Sequence, residues 1–144
     1  MSQVHGTCVA INGIGVLLTG PPGSGKSDLA LRLIDQGGRL VADDRTEIVA
    51  RGGRLVASAP PAMAGILEVR GLGLLRVECQ AEAPLGLVVE MVSAGHVERL
   101  PEAESRVLLG RPLPLIRLDP VPASAAAKVR LAIRHARGDI IQVP

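Results

Sequence analysis

The stretch Gly20-Pro21-Pro22-Gly23-Ser24-Gly25-Lys26-Ser27 matches the Walker A pattern G-x-x-x-x-G-K-[ST] at every specified position. An apolar, strand-like run from Val16 to Thr19 precedes it. A helical pattern from Ser27 to Gln36 follows, and Gly37-Gly38 ends that pattern. A strand that passes through a glycine-rich loop into a helix is the context in which this motif binds phosphate groups. The sequence therefore predicts a P-loop-containing α/β domain.

The residue types within this loop suit the phosphates of ATP. Gly23 and Gly25 allow the backbone to curl so that successive N–H groups point at phosphate oxygens, next to the positive end of a helix. Lys26 supplies a charge for the β- and γ-phosphates, and Ser27 supplies a hydroxyl ligand for Mg²⁺. We expect ATP to bind to Gly20, Pro21, Pro22, Gly23, Ser24, Gly25, Lys26 and Ser27.

The rest of the chain is rich in predicted strands. Asn12-Gly13 separates two apolar runs and predicts a type I′ hairpin, and Gly52-Gly53 predicts a second hairpin. Pro112 and Pro114 favour an edge position for the strand-like run that contains them. A second helix is predicted from Ala123 to Arg137. Together these elements predict one strand-rich domain over residues 1–144, with one helix after the phosphate loop and one near the C-terminus.

The composition narrows the possible partners. The 144 residues include no Phe, Trp or Tyr, so the core must consist of Leu, Val, Ile, Ala and Met. Single-stranded nucleic-acid modules need aromatic rings on which bases stack, so we expect no such partner. The net charge is +2 with dispersed basic residues, which predicts neither nucleic-acid binding nor membrane binding.

The termini and cysteines favour a cytoplasmic protein. No secretory signal is visible at the N-terminus, and no apolar run approaches the ~18 residues that a membrane helix requires. Cys8 and Cys79 are too few for a disulfide framework or a four-cysteine zinc site. We expect both to be buried free thiols in a reducing compartment.

Two adjacent carboxylates, Asp43 and Asp44, follow the short predicted strand Leu40 to Ala42. The end of a parallel strand beside a phosphate loop is where such proteins place acids on the metal side. In an extended chain the two side chains point in opposite directions, so one suits the metal and the other an incoming hydroxyl. The alternative is a solvated turn, because Asp favours turns.

Four further polar residues have no clear role from spacing alone. Glu68 and Arg70 share one face of a predicted strand, where a surface ion pair is as reasonable as a functional site. Arg99 is an isolated arginine in a predicted loop. His5 lies in an apolar strand, where a hydrogen-bonded core histidine is the usual outcome.

Several stretches together resemble the bacterial HPr kinase/phosphorylase family. They are Val4-His5-Gly6, the phosphate loop followed by Asp28, Arg39-Leu40-Val41-Ala42-Asp43-Asp44, and Leu67-Glu68-Val69-Arg70-Gly71-Leu72-Gly73, in the family's order. The last is close to the family signature, and the resemblance covers roughly residues 4–118. It implies an ATP- and Mg²⁺-dependent kinase of a serine in HPr, the small phosphocarrier protein of the phosphotransferase system. It also implies a reverse phosphorolysis.

The resemblance also implies roles for individual residues. His5, Lys26 and Arg99 match active-site positions, and Asp43 matches the acid that takes the serine proton. Ser27 and Glu68 match Mg²⁺ ligands. The role of Asp43 leaves Asp44 for the metal side or for holding the loop.

The chain departs from the family pattern at Gly38, where the family usually has a histidine, at Arg76, where it usually has an acid, and in two larger ways. It has no counterpart of the usual N-terminal domain, so it resembles the short form known from some α-proteobacteria and points to a regulatory phosphotransfer pathway. The family's Gly-Arg-Asn loop has no counterpart in residues 119–127, which predicts weak phosphorolysis. The resemblance further implies a homo-oligomer, a hexamer of catalytic domains.

Two alternatives remain beside the protein kinase. A P-loop kinase of a small metabolite would need a lid with several arginines and a substrate-binding region, for which only residues 99–111 are available. A non-catalytic nucleotide-sensing module would bind nucleotide without turnover and would tolerate substitution of Asp43.

Overall fold

The computed structural model describes residues 2–140 and 142–143. This part of the chain forms eleven strands and two α-helices, in this order: β1 (Ser2–His5), β2 (Thr7–Ile11), β3 (Ile14–Thr19), α1 (Lys26–Asp35), β4 (Arg39–Ala42), β5 (Arg45–Arg51), β6 (Arg54–Ser58), β7 (Ile66–Val69), β8 (Gly73–Arg76), β9 (Glu82–Met91), β10 (Glu104–Leu108), β11 (Arg111–Leu118) and α2 (Ala125–Ala136). The predicted strand-rich α/β fold is confirmed, with one helix after the phosphate loop and one near the C-terminus.

Both predicted hairpins form where the sequence places their turns. Asn12 and Gly13 join β2 to β3 with φ values of 50° and 82°, the positive pair that a type I′ turn requires. Gly52 and Gly53 join β5 to β6 with φ values of 60° and 76°. In both hairpins, residues that tolerate the left-handed conformation determine the register of the strands.

The main sheet brings four strand ends to one edge. Its order is β1-β5-β6-β9-β3-β2-β4, and β11 lies beside the second half of β9 with β10 outside it. β3, β9 and β11 are parallel neighbours. β2 is antiparallel to both β3 and β4. β4 therefore runs parallel to β3, but β2 lies between them. The expectation that the strand before Asp43 is the direct neighbour of the phosphate-loop strand is wrong.

The prolines of β11 lie outside its central pairing. Pro112 and Pro114 pair with Val107 and Ser105 of β10, and the pairing with β9 begins only at Leu115. β11 is not an edge strand, because β10 covers it. Its prolines precede the segment that pairs with β9, where a missing N–H would interrupt the ladder.

Two apolar clusters cover the two faces of the sheet. On one face α1 and α2 pack through Leu29, Leu33, Val129 and Ile133. The first residues of β9 pair with β6, and the rest of β9 pairs with β3, so the sheet bends along β9. This bend brings β5 and β6 against the other face of the sheet, where the second apolar cluster lies. The core contains only aliphatic side chains, Met and Cys, as the composition predicts.

The two cysteines differ in their surroundings. Cys8 is fully buried, and this burial raises the pKa of its thiol to about 12. Cys79 is a free thiol too, but it is exposed, so the expectation that both are buried is wrong for Cys79. The segment that contains Cys79 follows β8 and pairs with Leu40 of β4 through one isolated parallel β-bridge. Within the described part of the chain, neither helix is both long and apolar enough to cross a bilayer.

Candidate active site

The phosphate loop leaves β3 at Gly20 and enters α1 at Lys26. Gly23 and Gly25 have φ values of 77° and 100°, in the left-handed region that favours glycine. The N–H of Ser24 donates a hydrogen bond to the carbonyl of Pro21 at 3.1 Å, which closes a tight turn. The glycine spacing of the motif is therefore what allows the backbone to curl.

Lys26 and the start of α1 make this loop electropositive. The Lys26 Nζ donates hydrogen bonds to the carbonyls of Gly20 and Pro21, at 2.8 and 3.1 Å, so the ammonium group lies over the loop. The first intrahelical bond runs from the Leu29 N–H to the Gly25 carbonyl. The N–H groups of the first turn have no partner within the helix and can face an anion.

Asp43 lies at the centre of a buried hydrogen-bond network. Its side chain is only 5% exposed. One oxygen, Oδ1, accepts hydrogen bonds from the hydroxyls of Ser27 (2.7 Å) and Thr7 (3.0 Å). The other oxygen accepts the backbone N–H of Glu68 at 3.0 Å. Asp43 thereby ties α1, β2 and β7 to the end of β4.

Asp44 has a different environment from its neighbour. It is exposed, and its φ of 66° places the chain in a turn rather than in the extended conformation assumed from sequence. Its backbone N–H donates to the Thr7 hydroxyl at 3.1 Å. The resemblance assigns proton transfer to Asp43 and the metal side to Asp44. Burial and hydrogen bonding favour the opposite division, because Asp43 already holds the hydroxyl of Ser27.

The loop cavity, as we name it, has a volume of about 500 Å³ and lies between the phosphate loop and the β7–β8 hairpin. The loop and α1 contribute Gly25, Lys26 and Ser27, and the opposite wall contributes Asp44 and Glu68. Glu68 is exposed, whereas its neighbours Leu67 and Val69 are buried, as the strand alternation predicts. Four predicted site residues, Lys26, Ser27, Asp44 and Glu68, thus share one cavity.

The loop cavity fits a magnesium nucleotide. Its loop wall presents an ammonium group and helix N–H groups to phosphates, and its other wall presents carboxylates. The described residues contain no cluster of three or more His, Cys, Asp or Glu side chains that would bind a metal alone. Mg²⁺ commonly takes only one or two protein carboxylates and completes its shell with substrate phosphates and water. Ser27 and Glu68 are the residues we expect to hold it, with Asp43 behind Ser27.

His5 and Arg99 lie outside the loop cavity. His5 is exposed at the end of β1, so it is not the core histidine that its apolar strand suggests, and the next residue, Gly6, donates its N–H to the Asp44 carbonyl at 2.9 Å. Arg99 is exposed in the segment between a short 3₁₀ turn, Ala94–His96, and β10. His5 is therefore near the Asp43–Asp44 turn, whereas the structure brings Arg99 to none of the other predicted residues. Their catalytic roles stay predictions.

Sequence reasoning missed two residues that hold the site together. Thr7 donates to Asp43 and accepts from Asp44, and its only signal is a hydroxyl in an otherwise apolar buried strand. Arg32 donates to the carbonyls of Pro120 (2.6 Å) and Pro122 (3.2 Å). The sequence signals only its i,i+4 ion pair with Asp28, which forms at 3.2 Å.

Several known proteins are similar to this chain in sequence. The family model described as HPr Serine kinase C-terminal domain matches residues 1–129. An HPr kinase/phosphorylase of Burkholderia lata is 38% identical over 146 aligned residues, which cover 93% of this chain and 45% of that protein. The corresponding protein of Clostridium tetani is 50% identical over 76 residues, 53% of this chain and 25% of that protein. This chain therefore spans less than half the length of these relatives.

A solved structure has the same fold. The Hpr(Ser) kinase/phosphatase from Coxiella burnetii superposes with a TM-score of 0.87 at 24% identity, covering 96% of this chain and 92% of the other. Because the family model covers most of the sequence and the fold agrees, the chain belongs to the HPr serine kinase C-terminal domain family.

Proposed function

We propose that this protein is an ATP-dependent kinase that phosphorylates a serine of an HPr-type phosphocarrier protein in a regulatory phosphotransferase system. The observation that carries the proposal is the Asp43 carboxylate, which joins the phosphate-loop hydroxyl of Ser27 to the backbone of Glu68. The two expected Mg²⁺ ligands thus both contact one buried acid, Ser27 through its hydroxyl and Glu68 through its backbone N–H. The relatives named HPr kinase/phosphorylase supply the substrate class.

The phosphate loop positions ATP for transfer. Lys26 and the helix N–H groups hold the β- and γ-phosphates, and this charge counters the negative charge that shifts to the leaving oxygen. Mg²⁺, when bound, neutralises further phosphate charge. Ser27 and Glu68 would hold this ion, and Asp43 orients the Ser27 hydroxyl by accepting its hydrogen bond. Asp43 thus acts through Ser27 rather than on the substrate.

Asp44 is the proposed proton acceptor. Both oxygens of Asp43 already accept hydrogen bonds from Ser27, Thr7 and the Glu68 N–H, whereas Asp44 is exposed and lines the loop cavity. The substrate serine oxygen forms a bond to the γ-phosphorus, the bond from that phosphorus to the β-bridging oxygen breaks, and ADP leaves. The serine proton passes to the Asp44 carboxylate. His5 and Arg99 keep their active-site roles in this proposal on the family resemblance alone.

A direct test incubates the protein with Mg-ATP and the HPr-like proteins of its source, followed by intact-mass measurement. We expect one of them to gain a single phosphate that disappears when its acceptor serine is changed to Ala. The Lys26→Ala enzyme is the matched control and should give no product in the same time. Nucleotide binding without phosphorylation of any HPr-like protein would instead favour the sensing module, and phosphorylation of a small metabolite would favour the other alternative.

We expect the reverse reaction to be weak. The family's Gly-Arg-Asn loop has no counterpart in residues 119–127, so an arginine that would help to hold inorganic phosphate is missing. A time course with seryl-phosphorylated HPr and millimolar phosphate measures the release of pyrophosphate. Rapid formation of pyrophosphate and unmodified HPr would contradict this part of the proposal.

The location and assembly complete the proposal. We place the protein in the cytoplasm, as a homo-hexamer of catalytic domains that binds neither nucleic acid nor membrane. Light scattering coupled to size-exclusion chromatography measures the assembly directly. A monomer at micromolar concentration would contradict the hexamer and leave the chemistry of the loop cavity unaffected.

A further inference from the structure

A second cavity of about 470 Å³ lies on the other side of the phosphate loop, and we name it the side cavity. Three segments line it. Pro21 and Ser24 belong to the phosphate loop, while the other two segments follow β9 and β11. The function proposed above uses none of these side chains individually.

The side cavity is continuous with the phosphate loop. A Cβ atom on Gly25 would lie 3.4 Å from Cγ of Pro120, and one on Gly20 would lie 2.9 Å from Cβ of Met91. The backbone of the loop therefore contacts both walls of the cavity. Because β3, β9 and β11 are parallel neighbours, their following loops meet at the edge of the sheet where α/β proteins bind ligands.

The lining of the side cavity is mainly apolar. Met91, Val92, Pro120 and Val121 contribute aliphatic surface, and no charged side chain other than Asp119 is among the described lining residues. Ser93 and His96 add polar groups and are hydrogen-bonded to each other at 2.8 Å. A flat, apolar ring with polar edges suits this combination, whereas a phosphate does not.

The loop after β11, residues 119–121, forms what we call the outer wall of the side cavity, and hydrogen bonds hold it in position. Arg32 of α1 donates to the carbonyls of Pro120 and Pro122, and the N–H of Val121 donates to the Asp119 carboxylate at 3.1 Å. The helix that begins at the phosphate loop thus anchors the loop after β11. A wall held in this way loses little conformational entropy when a ligand binds.

We propose that the side cavity binds the adenine base of the ATP whose phosphates occupy the phosphate loop. This inference rests on the proposed function and adds a base-binding subsite to it. The chain contains no Phe, Trp or Tyr, so no ring of the protein stacks on the base, and the faces of Val92, Pro120 and Val121 take that role. Val121 is 85% exposed, which leaves its side chain free to cover a ligand.

The test compares ATP with ribose 5-triphosphate, which has the same sugar and phosphates but no base. Calorimetry with Mg²⁺ measures both affinities for the wild type, for Val121→Asn, and for Val107→Asn as a matched control on β10. We expect Val121→Asn to weaken ATP about fivefold, since apolar contact with the base is lost, and to leave ribose 5-triphosphate unchanged. Val107→Asn should change neither, because Val107 is exposed outside the cavity.

A fluorescent reporter provides a second measurement. Because the chain has no tryptophan or tyrosine, the side chain introduced by Val121→Trp is the only source of ultraviolet emission. ATP should shift or quench this emission, and ribose 5-triphosphate should not. Equal responses to the two ligands, or no response to ATP, would place the base elsewhere.

The outcomes separate this inference from the proposed function. If Val121→Asn weakens both ligands equally or weakens neither, the base-binding subsite is wrong and the phosphate site stands. If the wild type binds neither ATP nor ribose 5-triphosphate, the proposed function fails and the subsite fails with it. A loss confined to ATP, together with an emission change confined to ATP, supports the subsite.

Discussion

The two cavities on either side of the phosphate loop differ in chemistry, although they share that loop. The loop cavity contains Lys26, Asp44 and Glu68, and a buried network ending at Asp43 supports it. The side cavity is lined mainly by aliphatic and proline side chains, and its polar side chains Ser93, His96 and Asp119 form local hydrogen bonds. One short loop therefore separates a site suited to phosphates and Mg²⁺ from a site suited to an uncharged ring.

The difference follows from the strands that border each side. On the loop-cavity side β4 ends at two carboxylates, and the β7–β8 hairpin lies outside the main sheet, so Glu68 is free to face the loop. On the other side β9 is the parallel neighbour of β3, β11 is the parallel neighbour of β9, and these two strands end in the buried apolar residues Met91 and Leu118. The order of the strands therefore places charged side chains on one side of the phosphate loop and apolar side chains on the other.

The largest expected effect distinguishes the two aspartates of the loop cavity. Asp44→Asn should slow serine phosphorylation by ~10²–10⁴-fold at saturating Mg-ATP, the usual contribution of a general base. Nucleotide affinity should change only a few-fold, because Lys26 and Ser27 remain. Steady-state rates together with calorimetric affinities for Mg-ATP measure the two quantities separately.

Asp43→Asn should give the opposite pattern. Asn has one acceptor oxygen instead of two, so either the Ser27 and Thr7 hydroxyls or the Glu68 N–H would face an NH₂ donor in a buried network, and Mg-ATP affinity and thermal stability should both fall. If Asp43→Asn keeps its nucleotide affinity and loses only the rate of transfer, Asp43 is the proton acceptor and our division is wrong. Circular dichroism shows whether either variant has lost its fold.

The second prediction concerns the charge of the phosphate loop. Lys26→Ala should reduce transfer by about 10²-fold or more with the fold intact, since phosphoryl transfer depends on positioning and electrostatics. The lysine hydrogen bonds reach only the carbonyls of its own loop, so the core does not depend on them. A Lys26→Ala variant with near wild-type activity would contradict the phosphate-binding role of the loop.

Much of the fold was predictable because its signals are local. The Walker A motif, the turn at Asn12-Gly13 and the apolar periodicity of α1 each depend on neighbouring residues, and the structure contains all three. The alternation at Leu67-Glu68-Val69 likewise predicted which side chains are buried. Local rules of conformation were enough to locate the loop and its first helix.

The parts that were not predictable depend on contacts distant in sequence. Thr7 and Asp43 are hydrogen-bonded although 36 positions separate them in the sequence, and 88 positions separate Arg32 from Pro120. No local sequence pattern predicts either contact. The left-handed φ of Asp44 also departs from the extended chain that its preceding strand suggests. For the same reason the side cavity, assembled from three separate segments, was not visible in the sequence.

The third prediction tests the metal side of the loop cavity. Glu68→Gln removes one carboxylate charge from the cavity wall but keeps the backbone N–H that donates to Asp43. We expect the Mg²⁺ concentration for half-maximal activity to rise about tenfold, with fold and maximal rate largely retained. Arg70→Gln, which removes a charge of the opposite sign from the same wall, is the control and should not raise the Mg²⁺ requirement.

The smallest expected effect concerns Arg32, which connects the two sides through α1. Arg32→Gln removes its hydrogen bonds to Pro120 and Pro122 and should loosen the outer wall of the side cavity. Since ligand binding must then order this wall, ATP affinity should fall about two- to fourfold, while ribose 5-triphosphate affinity and the transfer rate at saturation stay unchanged. In the double variant Arg32→Gln/Val121→Asn, the fold-loss of ATP affinity should be smaller than the product of the two single losses, because both changes act on the same wall of the side cavity. If the losses multiply fully, or if ribose 5-triphosphate weakens as much as ATP, Arg32 acts on the phosphate loop and the two sides are not independent.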